Sequence, residues 1–285
     1  MRNAVLMLVQ PNRVDRQLIK YGFSVAKGMD LPLLLYGYAP STSSVYAYHS
    51  NGSRPSVSEA DWERWENRMH ALCQRLRRRH PDLHYMLERD PAGFMELGDS
   101  GKSIVKRVKS MKPSLVIASR KSEYDWLRSL TGTLETSLSE RLDCPLMLIP
   151  QEYVYRPVRR TMYLMRDHSK LKQSIRDLHF LSQVAKGVKA TIALAFLTKG
   201  YEKFSMAQLS QMSKRIKDTI EFSRLFPYRL QSVGNPEEVI TEIAEKSDTD
   251  LLAVPLHQRS LLSRLLAADS SRSLLLKSSI PLIAF

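Results

Sequence analysis

Short apolar runs alternate with longer segments of helical periodicity along the chain. In the first half, the apolar runs AVLMLV, LPLLLYGY, LHYMLE, SLVIAS and PLMLIP predict five strands. The segments between them predict helices at about Asp15–Lys27, Ser58–Arg79, Ser100–Lys112 and Thr133–Leu142. Runs of Leu, Val and Ile without polar alternation are typical of parallel strands covered on both faces. The pattern therefore predicts a doubly wound α/β fold.

The second half repeats this order at constant offsets. VAKG at Val25–Gly28 recurs at Val184–Gly187, an offset of 159, and each copy closes a helical pattern before an apolar run. Further on, an offset of 136 places Leu115 on Leu251 and Pro145 on Pro281 without a gap. The surplus in the first copy falls in a Ser-, Gly- and Pro-rich loop at about 40–62. The sequence thus predicts a tandem duplication with domains 1–152 and 153–285.

Composition narrows the class of protein. The chain has 285 residues, of which 43% are hydrophobic and 25% charged, as in ordinary globular proteins. No apolar run approaches the roughly 20 residues that span a bilayer, and MRNAVLMLVQP predicts a first strand and not a signal peptide. The two cysteines, Cys73 and Cys144, form no CxxC motif. We therefore expect no disulfide framework, no zinc site, no membrane and a reducing, cytoplasmic location.

The charge of the chain is strongly basic. The formal net charge is +14, with one cluster in the run RLRRRH at Arg75–His80. Because no nucleic-acid motif accompanies the charge, a solvated basic surface is favoured, and weak binding of a polyanion such as nucleic acid is the alternative. The RLRRRH run is the best single candidate for such a contact. Upstream of it, Trp62, Trp65 and Met69 share one helix face and are interpreted as packing residues.

The element order and two segments resemble a known family. SLVIAS…TGTLETSLSERLDCPLMLIP and its counterpart DLLAVP…SSIPLIAF are similar to the tandem universal stress proteins of the A family, and the resemblance covers nearly the whole chain. It implies two five-stranded, mostly parallel sheets of the Rossmann-like, adenine-nucleotide alpha-hydrolase-like type. It also implies that the last strands, PLMLIP and PLIAF, pair with each other so that the chain is its own pseudo-dimer. A further homodimer is left open.

Nucleotide-binding members of that family carry two motifs. One is an acidic residue at the end of the first strand, and the other is a loop G-x-x-G-x9-G-[S/T] after the fourth strand, where backbone N–H groups approach phosphate. In the first domain Gly132-Thr133 matches the end of the loop. Ser119 and Ser122 stand where the two earlier glycines are expected, and Gln10 stands where the acid is expected. The first domain therefore keeps only part of the phosphate end.

The second domain departs from the same motifs in another way. Asp167 falls on the acidic position, but Pro255, Gln258 and Ala268-Asp269 occupy the loop positions, without a glycine among them. Proline has no N–H donor, and an aspartate at a helix start repels phosphate. The resemblance therefore implies a degenerate nucleotide-binding motif in both domains.

Taken together, these features favour a non-enzymatic stress-response or regulatory protein that acts through a protein partner or a small ligand. ATP binding is expected to be lost, and no cofactor is expected. One alternative is an ATP-binding switch, with weak ATPase activity not excluded, that uses Ser119, Ser122, Gly132 and Thr133. The other is a basic nucleic-acid-binding module. The seven histidines have no metal-binding spacing, and no G-x-S-x-G motif is present, so we expect neither a metal site nor catalytic residues.

Overall fold

A computed structural model provides the structure of the chain. It describes residues 3–9, 11, 16–38, 58–89, 100–119, 142, 144–150, 153–165, 171–196, 205–228, 243, 247–255 and 280–285. The chain divides into two compact units, Met1–Gln151 and Glu152–Phe285. The boundary predicted from the sequence lies one residue away. Most of the predicted inserted loop and nearly all of the predicted helix Thr133–Leu142 fall outside the described residues.

The first unit is a parallel sheet, and a described helix separates each pair of successive strands from β1 to β4. Its described strands lie in the order β3-β2-β1-β4-β5, and each neighbouring pair is parallel. The elements along the chain are β1 (Val5–Val9), α1 (Arg16–Met29), β2 (Leu33–Gly37), α2 (Glu59–Arg77), β3 (Tyr85–Arg89), α3 (Ser100–Met111), β4 (Leu115–Ser119) and β5 (Leu146–Ile149).

The second unit has the same strand order. Its described strands lie in the order β8-β7-β6-β9-β10, again with parallel neighbours. The elements are β6 (Arg160–Met165), α4 (Leu171–Val188), β7 (Thr191–Phe196), α5 (Met206–Ile220), β8 (Leu225–Tyr228), β9 (Leu251–Val254) and β10 (Leu282–Ala284). The predicted doubly wound α/β fold is thus confirmed. The pairing of the two final strands stays a prediction.

The offset of 136 read from the sequence reappears in the strand positions. β4 begins at Leu115 and β9 at Leu251, while β5 begins at Leu146 and β10 at Leu282, so both pairs keep the offset of 136. The backbone bond that starts the fourth strand is also shared. Ser114 N donates to Ala4 O in the first unit, and Asp250 N donates to Arg160 O in the second, both at 2.9 Å. A duplicated domain would produce this agreement.

Local sequence explains where the long helix α2 starts. The hydroxyl of Ser58 accepts a hydrogen bond from Asp61 N at 3.2 Å, and the carboxylate of Asp61 accepts one from Ser58 N at 3.0 Å. This reciprocal capping box satisfies N–H groups that the first turn leaves free. The helix then buries one face through Trp62, Trp65 and Met69, as the sequence predicted.

The two tryptophans of α2 fill the space above Gly37, the last residue of β2. Their rings meet edge to face with centroids 5.7 Å apart, and Trp65 is only 1% exposed. A Cβ added at Gly37 would lie 2.7 Å from the ring of Trp62 and 2.8 Å from that of Trp65. Neither indole can retreat easily, because both are buried in the core.

We expect Gly37→Ala to destabilise the first unit by at least about 1 kcal/mol, because overpacking a filled core forces side chains out of their rotamers. Gly22→Ala is the matched control. Its Cβ would meet the flexible end of Met7, which can move, and alanine favours the helix. Urea denaturation of both variants tests this prediction. Equal losses of stability in the two variants would contradict it.

Candidate functional site

The strand order places a ligand crevice at the carboxyl edge of the first unit. In doubly wound sheets ligands bind where neighbouring strands connect in opposite directions, and here that point lies between β1 and β4. The register pairs Met7 with Ile117, so two residues further on Val9 lies beside Ser119. On the other side, Tyr38 N donates to Val9 O at 3.1 Å. Val9, Tyr38 and Ser119 therefore line the described part of this edge.

This edge offers little polar surface among the described residues. Val9 and Tyr38 are at most 2% exposed, and Ser119 is 8% exposed. Of the first-domain residues predicted to contact a nucleotide, Ser119 is the one that the structure describes. Ser122, Gly132 and Thr133 lie outside the described residues, as does Gln10.

The corresponding point of the second unit lies between β6 and β9. The strand β9 ends at Val254, and Pro255 follows it as a buried residue in the position that matches Ser119. Because proline has no N–H, this position cannot donate a hydrogen bond to a phosphate. Asp167, the predicted base-contacting residue, lies outside the described residues, together with Gln258, Ala268 and Asp269.

A half-buried acid in the second unit was not predicted from the sequence. The hydroxyl of Tyr163, in the middle of β6, donates to Oδ2 of Asp177 at 3.0 Å. Tyr163 is fully buried, and Asp177 is half-buried on α4. The ring centroid of Phe285 is 6.3 Å from that of Tyr163, and the ring of Phe180 in turn packs on Phe285 with centroids 5.8 Å apart.

The surroundings of this pair change its protonation. Burial raises the pKa of Asp177 from 3.8 to about 6, although the bond from Tyr163 and the charge of Arg176 oppose that rise. Burial, followed by the nearby carboxylate, also raises the pKa of Tyr163. Asp177 therefore holds its proton at a pH where exposed aspartates are ionised.

A sequence signal for Asp177 does exist. Along α4, Ser174, Leu178 and Leu181 are buried, and Asp177 sits three residues after the first and four before the last. That spacing puts the acid on the apolar face of the helix. An acidic residue on such a face is either paired or has a shifted pKa. Asp177 has both, since it is paired with Tyr163 and its pKa is raised.

The cysteines have no redox arrangement. Neither Cys73 nor Cys144 is part of a disulfide bond. Burial raises the pKa of Cys73 to about 12, so it stays a thiol at neutral pH and behaves as an apolar core residue. Within the described ranges, no group of three His, Cys, Asp or Glu residues is arranged to hold a metal ion.

A small cleft opens at the opposite, amino edge of the first unit. Its volume is about 110 Å³, which is well below the roughly 300 Å³ of a typical small-molecule site. It lies between the ends of α1 and α2, where Lys27 Nζ is 3.2 Å from Nδ1 of His80. Its lining residues are Lys27, Asp30, Leu31, Pro32, His80, Asp82, Leu83 and His84.

The strand order, which reverses direction between β1 and β4 and between β6 and β9, defines the chain as a doubly wound, Rossmann-like α/β protein. Residues 201–285 match the model of the universal stress protein family. The matched segment lies within the second unit. No curated protein is significantly similar to it in sequence.

Solved structures extend the likeness of fold to the whole chain. A universal stress protein from Archaeoglobus fulgidus DSM 4304 superposes with a TM-score of 0.59 at 13% identity, covering 98% of this chain and 95% of that one. A putative universal stress protein from Pseudomonas aeruginosa UCBPP-PA14 gives 0.54 at 12% identity, covering 100% and 92%. At such low identity the likeness establishes the fold alone.

The same fold also occurs in a different setting. The cytoplasmic domain of a prokaryotic cation chloride cotransporter superposes with a TM-score of 0.54 at 11% identity, covering 100% of this chain and 95% of that one. In the part of the present chain that the structure describes, no helix is long and apolar enough to cross a membrane.

Proposed function

We propose that this protein is a cytoplasmic stress-response regulator that acts by binding a protein partner or a small ligand, performs no catalysis and has lost ATP binding. The observation that carries the proposal is the pair of matching positions Ser119 and Pro255. Ser119 ends the fourth strand of the first unit, and Pro255 follows the fourth strand of the second unit. Both residues are buried, and neither is the glycine with which the family's phosphate loop begins.

The physical argument concerns the donors that a triphosphate needs. Several backbone N–H groups must converge on the phosphate oxygens, and glycine allows that approach because it has no Cβ. Pro255 removes one N–H outright. Ser119 keeps its N–H but adds a side chain that is already packed into the sheet edge. Each unit thus starts its loop with a residue unsuited to close phosphate contact.

The proposed lack of catalysis rests on the position of Asp177, the acid whose pKa is raised. Asp177 is the described carboxyl closest in character to a general acid, since its pKa is about 6. Its oxygen, however, accepts the hydrogen bond of the buried Tyr163, and the ring of Phe285 lies 6.3 Å from that of Tyr163. We therefore interpret Asp177 as a structural residue and not as a catalytic one.

Thermal unfolding with and without Mg-ATP tests the loss of nucleotide binding. We expect no change in Tm at millimolar Mg-ATP. A ligand at 100 times its Kd would add about 2.7 kcal/mol of stability. In a protein of this size that corresponds to a shift of roughly 5–10 °C.

The double variant Ser119→Gly with Ser122→Gly is the matched comparison. It restores the glycine spacing ahead of Gly132-Thr133, so we expect any response to Mg-ATP to appear in this variant first. A clear upward shift in the unmodified protein would contradict the proposal and favour the ATP-binding switch. Hydrolysis of ATP by the unmodified protein, measured as phosphate release, would contradict the proposed lack of catalysis.

A further inference from the structure

One side of α2 carries a row of arginines. Arg68, Arg75, Arg78 and Arg79 are all exposed, and we call them the arginine stripe. A helical repeat of 3.6 residues puts these four positions within an arc of about 100°. Arg78 caps the helix with right-handed helical angles (φ −57°, ψ −28°), so the same screw continues to the end of the stripe.

No described carboxylate forms an ion pair with an arginine of the stripe, although Asp30 and Asp82 line the cleft beside Lys27 and His80. The acids of α2 are Glu59, Asp61, Glu63 and Glu66, and all of them precede Asn67. Ion pairs among the described residues involve other arginines, namely Arg64 with Asp61, Arg89 with Glu59 and Glu66, and Arg107 with Glu88.

A neighbouring lysine extends the positive surface. Lys27, at the end of α1, contacts the ring of His80 just beyond the stripe. The pKa of His80 is lowered by burial first and then by the charges of Lys27 and Arg79. The effect on His80 is a local sign of the positive potential that these side chains create.

The helix dipole explains only part of this arrangement. Basic residues in the last turn stabilise the negative end of a helix, and α1, α3, α4 and α5 each have a single such residue there. The dipole effect fades within one turn, whereas Arg68 lies more than two turns from the end of α2. Its alignment with the other three arginines is therefore not accounted for by capping.

The stripe lacks the apolar side chains that other anionic partners require. Among the described residues the large exposed hydrophobic side chains are Val154 and Phe226, and both belong to the second unit. Binding of single strands relies on aromatic stacking, and binding to a membrane interface relies on apolar insertion. Among the described residues neither is found beside the stripe, and its charges suit contacts with a regular array of phosphates.

We propose that the arginine stripe, together with Lys27, binds the phosphate backbone of double-stranded nucleic acid without sequence preference. From Arg68 to Arg79 the stripe is about 17 Å long at 1.5 Å per residue. Measured along the duplex axis, that length carries about five phosphates of one strand. This surface lies on a helix flank and at the amino edge of the sheet, away from the carboxyl-edge crevice, so the inference does not rest on the proposed loss of ATP binding.

The test compares two triple variants with equal loss of charge. Arg75→Gln, Arg78→Gln and Arg79→Gln remove most of the stripe. Lys186→Gln, Lys214→Gln and Arg215→Gln remove three exposed charges from α4 and α5 and serve as the control. Binding to a fluorescent duplex of mixed sequence is measured by anisotropy between about 50 and 200 mM salt.

For the unmodified protein, four to five phosphate contacts predict an affinity loss of a few hundredfold over that salt range. The stripe variant is expected to bind at least about 10-fold more weakly at low salt, with a salt slope reduced by about two to three. The control is expected to stay within about 2-fold of the unmodified protein. Thermal unfolding establishes that both variants are folded.

A second readout is local to the surface. Duplex binding places phosphates near His80, so the pKa of His80 measured by NMR is expected to rise in the complex. No binding at low salt, or an equal loss in the stripe variant and the control, would overturn the proposal. Tighter binding to a single strand, to inorganic polyphosphate or to anionic vesicles than to the duplex would also overturn it.

Discussion

Replacing Asp177 by asparagine is expected to stabilise the protein at pH 7 and above by up to about 3 kcal/mol. The expected gain follows from the pKa of Asp177, which is about 6 in the folded protein against 3.8 ordinarily, since one pKa unit corresponds to 1.36 kcal/mol. Asparagine keeps an oxygen that can accept the hydroxyl of Tyr163, and it has no charge to desolvate. Chemical denaturation at a series of pH values measures the effect.

The direction of the pH dependence is fixed by the raised pKa. Between pH 3.8 and about 6 the folded protein holds the proton of Asp177 while the unfolded chain releases it. Stability therefore falls as the pH rises through this window, because the folded state binds more protons. Asparagine does not titrate, so the stability difference between the variant and the unmodified protein should grow with pH and level off above about 6.

Two neighbouring residues lower the pKa of Asp177, and a variant of one of them serves as a control for the Asp177→Asn experiment. They are Tyr163 from β6 and Arg176 from its own helix. Tyr163→Phe removes the hydroxyl that pairs with the carboxylate, so we expect a loss of about 1–3 kcal/mol above pH 6. A stability difference for Asp177→Asn that stays constant from pH 4 to 8 would show that the carboxyl is not buried as the structure describes.

The strands and helices followed from the sequence because local pattern decides them. The strands β1, β2, β4 and β5 are fully buried runs of apolar residues, so their positions are visible without tertiary information. The start of α2 was predicted within one residue, and the capping box found there joins Ser58 and Asp61, which are only three positions apart.

The candidate sites were harder to predict, because they depend on contacts between distant segments. The packing of two indoles on Gly37 joins residues that are 25 and 28 positions apart in the chain. Asp177 is paired by a tyrosine on another element, and spacing along the helix reveals only that the acid faces inward. The nucleotide motif had a known spacing in the family, which is why Ser119 and Pro255 could be assigned before the fold was seen.

The two units also differ at the start of the fourth strand, where the sequence gives no family pattern to follow. The position is Ser114 in the first unit and Asp250 in the second, and both make the same backbone bond. The carboxylate of Asp250 adds two further bonds. Its Oδ2 accepts from Arg159 N at 2.8 Å and from Arg160 N at 3.0 Å. Asp250 thus fixes the beginning of β6 to the beginning of β9.

Asp250→Ala is accordingly expected to destabilise the second unit by about 2 kcal/mol, because two charge-assisted hydrogen bonds to backbone N–H groups are lost at once. Asp250→Asn keeps an accepting oxygen and loses only the charge, so it should cost about half as much. Asp218→Ala, an exposed change on α5, is the control and should stay within about 0.5 kcal/mol. Urea denaturation ranks the three variants. An alanine variant no less stable than the asparagine variant would mean that the carboxylate does not hold the two strands together, since the accepting oxygen would then contribute nothing.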